Sequence, residues 1–156
     1  MNTVIGCDSP IGRLQIAVQG DHIAWLRLPG AGPAQAEREP EGTLEQRVLA
    51  QLEAYFADPR AAFDLPLVET GTRFQRRVWA RLRQIPSGSN LGYGQLARAL
   101  ETSARAVGNA CRANPWPILV PCHRVLSARG LGGYAGAVDG ERLEIKRWLL
   151  RHEGVQ

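Results

Sequence analysis

From Leu14 to Gln19 apolar and polar positions alternate, with Leu14, Ile16 and Val18 on one side and Gln15, Ala17 and Gln19 on the other. That two-residue period predicts a half-buried strand. Thr3 to Cys7 predicts a strand before it, reached through the turn Ser9-Pro10-Ile11-Gly12. Gly20-Asp21 fits a two-residue hairpin turn, and His22 to Leu28 reads as the returning strand. Gly30 to Gly42, rich in Gly, Pro and Glu, reads as an exposed loop. The period then lengthens. Thr43-Leu44-Glu45-Gln46 has the Thr-x-x-Gln form of a capping box, and Leu44, Val48, Leu52 and Tyr55 keep one helix face apolar until Asp58-Pro59 stops it. Ala61 to Gly71 reads as a linker, and no internal repeat is visible.

After the linker the pattern is helical. Thr72-Arg73-Phe74-Gln75 is a second capping box; Phe74, Val78 and Leu82 share a face that Trp79 and Ile85 widen, and Pro86-Ser87-Gly88 ends the helix. A short helix around Gln95 to Leu100, the turn Glu101-Thr102-Ser103 and a helix from about Ala104 to Ala113 make a helix-turn-helix pattern. Asn114-Pro115-Trp116-Pro117 breaks the chain, Ile118 to Val120 reads as briefly extended, and Gly130 to Gly140 is a glycine-rich loop. Arg142 to His152 reads as a closing amphipathic helix with Ile145, Trp148 and Leu149 inward. The expected fold class is α+β: a small N-terminal domain over 1–70 and a helical domain over 71–156.

Composition sharpens this division. The 156 residues are 44% apolar and 22% charged, which excludes disorder, and no run of about 18 apolar residues predicts a membrane span. The N-terminus lacks the pattern of a secretory signal, so a cytoplasmic location is expected. Net charge is +4, but residues 1–66 carry five arginines against nine acids, and residues 67–156 carry fourteen basic residues against six acids. A basic half of that size fits a polyanionic partner, since each neutralised phosphate releases counterions; a solvated surface explains the same charge. Cys7, Cys111 and Cys122 are odd in number and form no Cys-x-x-Cys pair with a His cluster. Neither a disulfide framework nor a metal site is expected, and no cofactor is implied.

The helix from Ala104 carries Ala104, Ala106, Gly108 and Ala110. Side chains so small either pack against a neighbouring helix or let the backbone approach a narrow groove, and Arg105 is the one long side chain at its start. Cys122-His123 is the candidate for nucleophilic chemistry. A free thiol ionises near about 8.5, so a base or positive field is needed, and His123 and Arg124 supply both. Adjacent side chains diverge, so a bridging water or a third group orienting the imidazole is required.

The segment Asn114-Pro115-Trp116-Pro117-Ile118-Leu119-Val120-Pro121-Cys122-His123-Arg124-Val125 closely resembles the active-site segment of O6-alkylguanine-DNA alkyltransferases, whose hallmark is Pro-Cys-His-Arg-Val. The likeness extends through Phe74-Gln75-x-x-Val78-Trp79, Tyr93-Gly94-Gln95-Leu96-Ala97 and Ala104-Arg105-Ala106-Val107-Gly108, then Gly132-Gly133-Tyr134 and Lys146-x-Trp148-Leu149-Leu150-x-His152-Glu153. The first 70 residues match only in layout, as that family's ribonuclease-H-like α/β domain ahead of a winged helix-turn-helix domain. The resemblance implies single-turnover transfer of an alkyl group from O6-alkylguanine, or O4-alkylthymine, in double-stranded DNA to Cys122, by a monomer bound in the minor groove. By the same resemblance His123 is the water-linked base and Asn114 braces the active-site turn. Arg105 replaces the extruded nucleotide, and Tyr93 promotes its rotation. Tyr134 lines the guanine pocket, with the Val125 carbonyl and Ala135 amide on the base, and Gly94, Ala104, Gly108 and Arg124 lie on the DNA side. The family's relay often ends in a glutamate directly after the lysine of the last helix; that position is Arg147 here, so either Glu144, one turn earlier, substitutes, or the relay is shortened to Cys122 and His123. Buried O6 chemistry also demands that the base leave the stack. Competing readings are a non-catalytic sensor of alkylated DNA, a winged-helix regulator and a cysteine hydrolase.

Overall fold

A computed structural model describes residues 2–128, 130–132 and 140–155. The chain divides into two compact units, Met1–Glu69 and Thr70–Gln156.

In the first unit, β1 (Thr3–Ser9), β2 (Gly12–Gln19) and β3 (His22–Arg27) form an antiparallel sheet in the order β1-β2-β3. The alternation read along β2 sets the register: Ile16 lies opposite Ile5 and Leu26. Leu14, Ile16, Ile5 and Leu26 are buried with Val48, Leu52 and Tyr55 of α1 (Thr43–Ala57). Glycines at positive φ (Gly12, 111°; Gly20, 59°) make the two connecting turns, where a Cβ would strain the backbone.

Two expectations for this unit need correction. The cap of α1 is Gly42, one residue earlier than Thr43, with no side chain to accept a bond. Glu45 reaches back instead and accepts from the backbone N–H groups of Glu41 (2.8 Å) and Gly42 (3.3 Å). The stretch read as a linker is partly sheet: Ile23 N donates to Pro66 O at 2.8 Å and Val68 N to Ile23 O at 2.9 Å. Residues 66–68 thereby cover part of the edge that β3 would leave open.

The second unit begins with α2 (Arg73–Leu82), whose cap is as expected: Thr72 Oγ1 accepts from Gln75 N at 3.0 Å and Gln75 Oε1 from Thr72 N at 2.9 Å. Then follow β4 (Leu91–Gly92), α3 (Tyr93–Ala99), α4 (Ala104–Arg112), a 3-10 turn at Cys122–Arg124, β5 (Val125–Leu126) and α5 (Glu141–His152). Helix α3 starts two residues before the expected Gln95, because Gln95 Oε1 accepts from Gly92 N at 2.7 Å and caps it there. The core joins Val78, Trp79 and Leu82 to Val107, Ala110 and Cys111, with Trp79 Nε1 donating to Ala110 O at 2.8 Å. No helix among the described residues is long and apolar enough to cross a membrane.

Candidate active site

The residues described here around Cys122 all belong to the second unit. Residues 114–121 do not run extended, as Ile118 to Val120 had suggested. They turn back, with Val120 N donating to Trp116 O at 2.8 Å and Ile118 held at φ 77°. A β-branched residue in that region is strained, and here it is buried. Trp116 anchors the turn edge-on to Trp79, with ring centroids 5.4 Å apart. Asn114 spans it: Oδ1 accepts from Trp116 N at 2.9 Å, while Nδ2 donates to Val120 O at 2.9 Å and to Cys122 Sγ at 3.3 Å.

Cys122 is buried at the start of the 3-10 turn. Burial pushes its thiol up, opposed by the Asn114 amide, the Lys146 charge and its own backbone N–H. His123, fully buried, places Nε2 2.8 Å from Glu153 Oε2. Burial holds this imidazole below its ordinary value; Glu153 pulls it up, and Arg124 and Lys146 push it down.

The acid beside His123 is therefore Glu153, and the expectation of Glu144 is corrected. Glu144 lies exposed on α5 and pairs with Arg147. Arg124 needs correction too, since it points inward rather than toward a DNA surface. Its Nε donates to Glu153 Oε1 and its Nη2 to Oε2, both at 2.9 Å, and its Nη1 donates to Ile85 O at 2.6 Å.

Lys146 is the second charged group missed in the sequence. It is fully buried, and Nζ donates to Val125 O at 2.8 Å and Leu131 O at 2.6 Å. Burial lowers it from the ordinary 10.5 to about 8, against the pull of Cys122 and Cys111. Trp148, expected inward, is only half-buried and stacks on His152 with centroids 4.8 Å apart. The signal was available: Lys146, Leu149, Leu150 and Glu153 stand at i, i+3, i+4 and i+7, one stripe of a helix continued to its cap.

Tyr93 reaches this region through a pairing that local sequence does not reveal. Parallel β4–β5 sets Leu91 opposite Val125 and Gly92 opposite Leu126, so Tyr93 begins α3 beside the segment that follows Arg124. Its ring lies 5.9 Å from Lys146 Nζ, and burial raises the phenol, which stays a hydrogen-bond donor. At Gly132 (φ 74°) a Cβ would stand 3.1 Å from Tyr93 Cε2.

On α4, Ala104 and Arg105 are exposed, and a Cβ on Gly108 would meet no described atom within 4 Å, while Ala110 is buried. Packing accounts for Ala110 but leaves Ala104 and Gly108 as an open, small-residue face. Gly94 is exposed on α3. The expectations at Tyr134 and Ala135 lie outside the described residues. Chemically, the site offers a buried thiol with an amide donor on its sulfur, an imidazole oriented by a carboxylate, and a buried cation bridging backbone carbonyls.

Two protein-family models match the chain. Residues 3–68 match "6-O-methylguanine DNA methyltransferase, ribonuclease-like domain" and residues 73–155 match "6-O-methylguanine DNA methyltransferase, DNA binding domain". The constitutive methylated-DNA--protein-cysteine methyltransferase of Bacillus subtilis is 38% identical, over 99% of this chain and 97% of its own. A DNA base-flipping protein of Thermus thermophilus is 46% identical, over 84% of this chain and 92% of its own. Among solved structures, Mycobacterium tuberculosis OGT in complex with DNA superposes with a TM-score of 0.80 at 37% identity, covering 97% of this chain and 92% of that one.

Proposed function

The chain belongs to the 6-O-methylguanine DNA methyltransferase family, and from that membership and the surroundings of Cys122 we propose that it repairs DNA by moving the alkyl group of O6-alkylguanine directly onto Cys122. The observation that carries the reading is the Asn114 amide 3.3 Å from Cys122 Sγ, next to an imidazole whose Nε2 is held by Glu153. With Nε2 so engaged, Nδ1 is the nitrogen that takes the thiol proton, through water. The thiolate attacks the alkyl carbon, a C–S bond forms as the C–O6 bond breaks, and the released guanine takes up a proton in exchange for the one lost by the thiol. A thioether is a poor leaving group, so each molecule acts once.

The base is reached by eversion, since O6 is shielded in a duplex. The open face of Ala104 and Gly108 suits close approach to the minor groove, with Arg105 entering the stack. Tyr93 supports the everted base from the start of α3, and the resemblance to the family gives Tyr134, Ala135 and the Val125 carbonyl as its further contacts. The Val125 oxygen also accepts from Lys146, and its second lone pair serves the base. Residues 71–156 act as the DNA-binding and alkyl-acceptor domain and residues 1–70 as a separate α/β domain, in a cytoplasmic monomer.

A DNA base-flipping relative favours a second reading, recognition without transfer. One experiment separates them. A duplex labelled in its O6-methyl group is mixed with stoichiometric protein, and the expected result is one label per molecule on the Cys122 peptide. Cys122→Ala is expected to bind the duplex and stay unlabelled. Binding by the wild type without transfer would establish the second reading.

A further inference from the structure

Glu153 is shared. Its Oε2 lies 2.8 Å from His123 Nε2 and also accepts from Arg124 Nη2 at 2.9 Å, while Oε1 accepts from Arg124 Nε at 2.9 Å. The Glu153 side chain is 0% exposed and that of Arg124 11%, so little water screens the cluster. The charges decide where a proton goes. With arginine present, cationic Arg124, anionic Glu153 and neutral His123 sum to zero, and a proton on His123 would leave a buried positive charge. Without arginine, the neutral sum is reached by protonating His123 beside the carboxylate, which is where a lone buried carboxylate would drive it.

We propose that Arg124 is a positioning residue that keeps His123 uncharged at rest by occupying the carboxylate of Glu153, so that the imidazole is ready to accept a proton. The role rests on the reading of His123 as the base for Cys122. Glu153 then orients the ring without charging it. The Arg124–Ile85 bond explains why the guanidinium cannot swing away: Nη1 is held at 2.6 Å by a carbonyl just beyond the end of α2.

The other charged groups around His123 act in the same direction or are accounted for. Lys146 on α5 opposes protonation, Cys122 lies on the same turn, and α2 turns its apolar face of Val78, Trp79 and Leu82 into the core. Burial is the largest cause that lowers the imidazole, and Arg124 and Lys146 add to it against the pull of Glu153.

The test is a nitrogen-15 NMR titration of the imidazoles from about pH 5 to about pH 9, with His22→Gln and His152→Gln to identify the other two rings. In the wild type, His123 is expected to titrate below the ordinary value of about 6.5. Arg124→Gln is expected to raise it by about one unit or more, and Arg124→Lys to keep it low. An unmoved titration in Arg124→Gln overturns the proposal. Should that variant fail to fold, Arg124→Met is read in its place by the same criterion, and an imidazolium at neutral pH in the wild type overturns the proposal in either case. Transfer rates across the same pH range supply the link to chemistry. The acid limb is expected to rise in step with the ring, whereas an arginine serving only structure would slow transfer at every pH with the limb in place. A limb that stays put while the ring titration moves overturns the link to the reaction. Failure of the wild type to alkylate Cys122 would sink the base assignment and leave the titration result standing.

Discussion

Replacing Asn114 by aspartate exchanges one amide nitrogen for oxygen and reverses the electrostatics at Cys122. The Trp116 N–H keeps its acceptor, but an oxygen now faces the Val120 carbonyl and the Cys122 sulfur, where a donor stood at 2.9 and 3.3 Å. A unit charge 3.3 Å from a thiolate repels it by about 5 kcal/mol at an effective dielectric of about 20. The carboxyl escapes part of this by holding a proton, so about 3 kcal/mol is expected to survive, or about 100-fold in transfer rate. Asn114→Ala loses the same two donations without adding charge, at about 1 kcal/mol of transition-state stabilisation, hence about tenfold. The assay is single-turnover transfer from a labelled O6-methylguanine duplex at saturating DNA, with urea unfolding of each variant to show that the folded fraction is not limiting. The expected order is wild type, then Ala, then Asp. An aspartate variant as fast as the alanine variant would refute the claim that the amide acts on sulfur charge rather than only on the turn.

Lys146→Met isolates the buried ammonium through stability against pH. A base whose folded value lies at about 8, below the ordinary 10.5, binds its proton less tightly when folded, so stability rises as pH climbs from about 8 to about 10.5. The wild type is expected to gain about 3 kcal/mol on Lys146→Met across that window. Parallel urea curves at each pH check this, and a flat difference contradicts it. Gly132→Ala places a Cβ 3.1 Å from Tyr93 Cε2 and 3.3 Å from Ser127 N at φ 74°. A loss of about 1–2 kcal/mol in stability is expected from the backbone alone. Slower transfer at saturating damaged duplex, with unchanged affinity for undamaged duplex, is expected from displacement of the Tyr93 ring.

Local sequence exposed what local physics decides. The strand at Leu14 to Gln19, the turn at Gly20-Asp21 and the Thr72–Gln75 capping box each depend on neighbours within four residues and are present. Gln15 and Ala17, however, are buried along with Leu14, Ile16 and Val18, so the strand is covered on both faces rather than half-buried. The misses have two causes. One is pairing across distance: β4 finds β5 across 34 positions in a two-residue match, and residues 66–68 dock on Ile23, too briefly in each case for a periodic signal. The other is the assumption that charge marks surface. On α5 that assumption put Trp148 inside and gave Lys146 no role in the core, while Glu144 was singled out only through the family's pattern around the lysine. The apolar stripe passes through Lys146 and ends at Glu153, so the charged residues at its two ends are the buried ones. Arg124 misled for the same reason.

The burial that hid these charges also explains how a reactive thiol survives until it is used. Burial raises both the Cys7 and the Cys122 thiols, but Cys7 on β1 is only partly buried, whereas Cys122 is enclosed. A thiolate of higher pKa is intrinsically the stronger nucleophile, with a Brønsted slope of about 0.4–0.5, so raising the thiol slows reaction at rest without weakening the anion once formed. An enzyme with many turnovers would meet the cost of a raised thiol in every cycle, whereas a protein that reacts once meets it once. The groups that oppose burial at the sulfur are the Asn114 amide, the Lys146 charge and the backbone N–H of Cys122. All are fixed before the base arrives, so they stabilise developing charge with little reorganisation. On the roles proposed above, a neutral His123 beside a protonated Cys122 leaves no thiolate–imidazolium pair at rest, although Arg124 and Glu153 are already paired. The thiolate–imidazolium pair forms only when the proton moves during transfer.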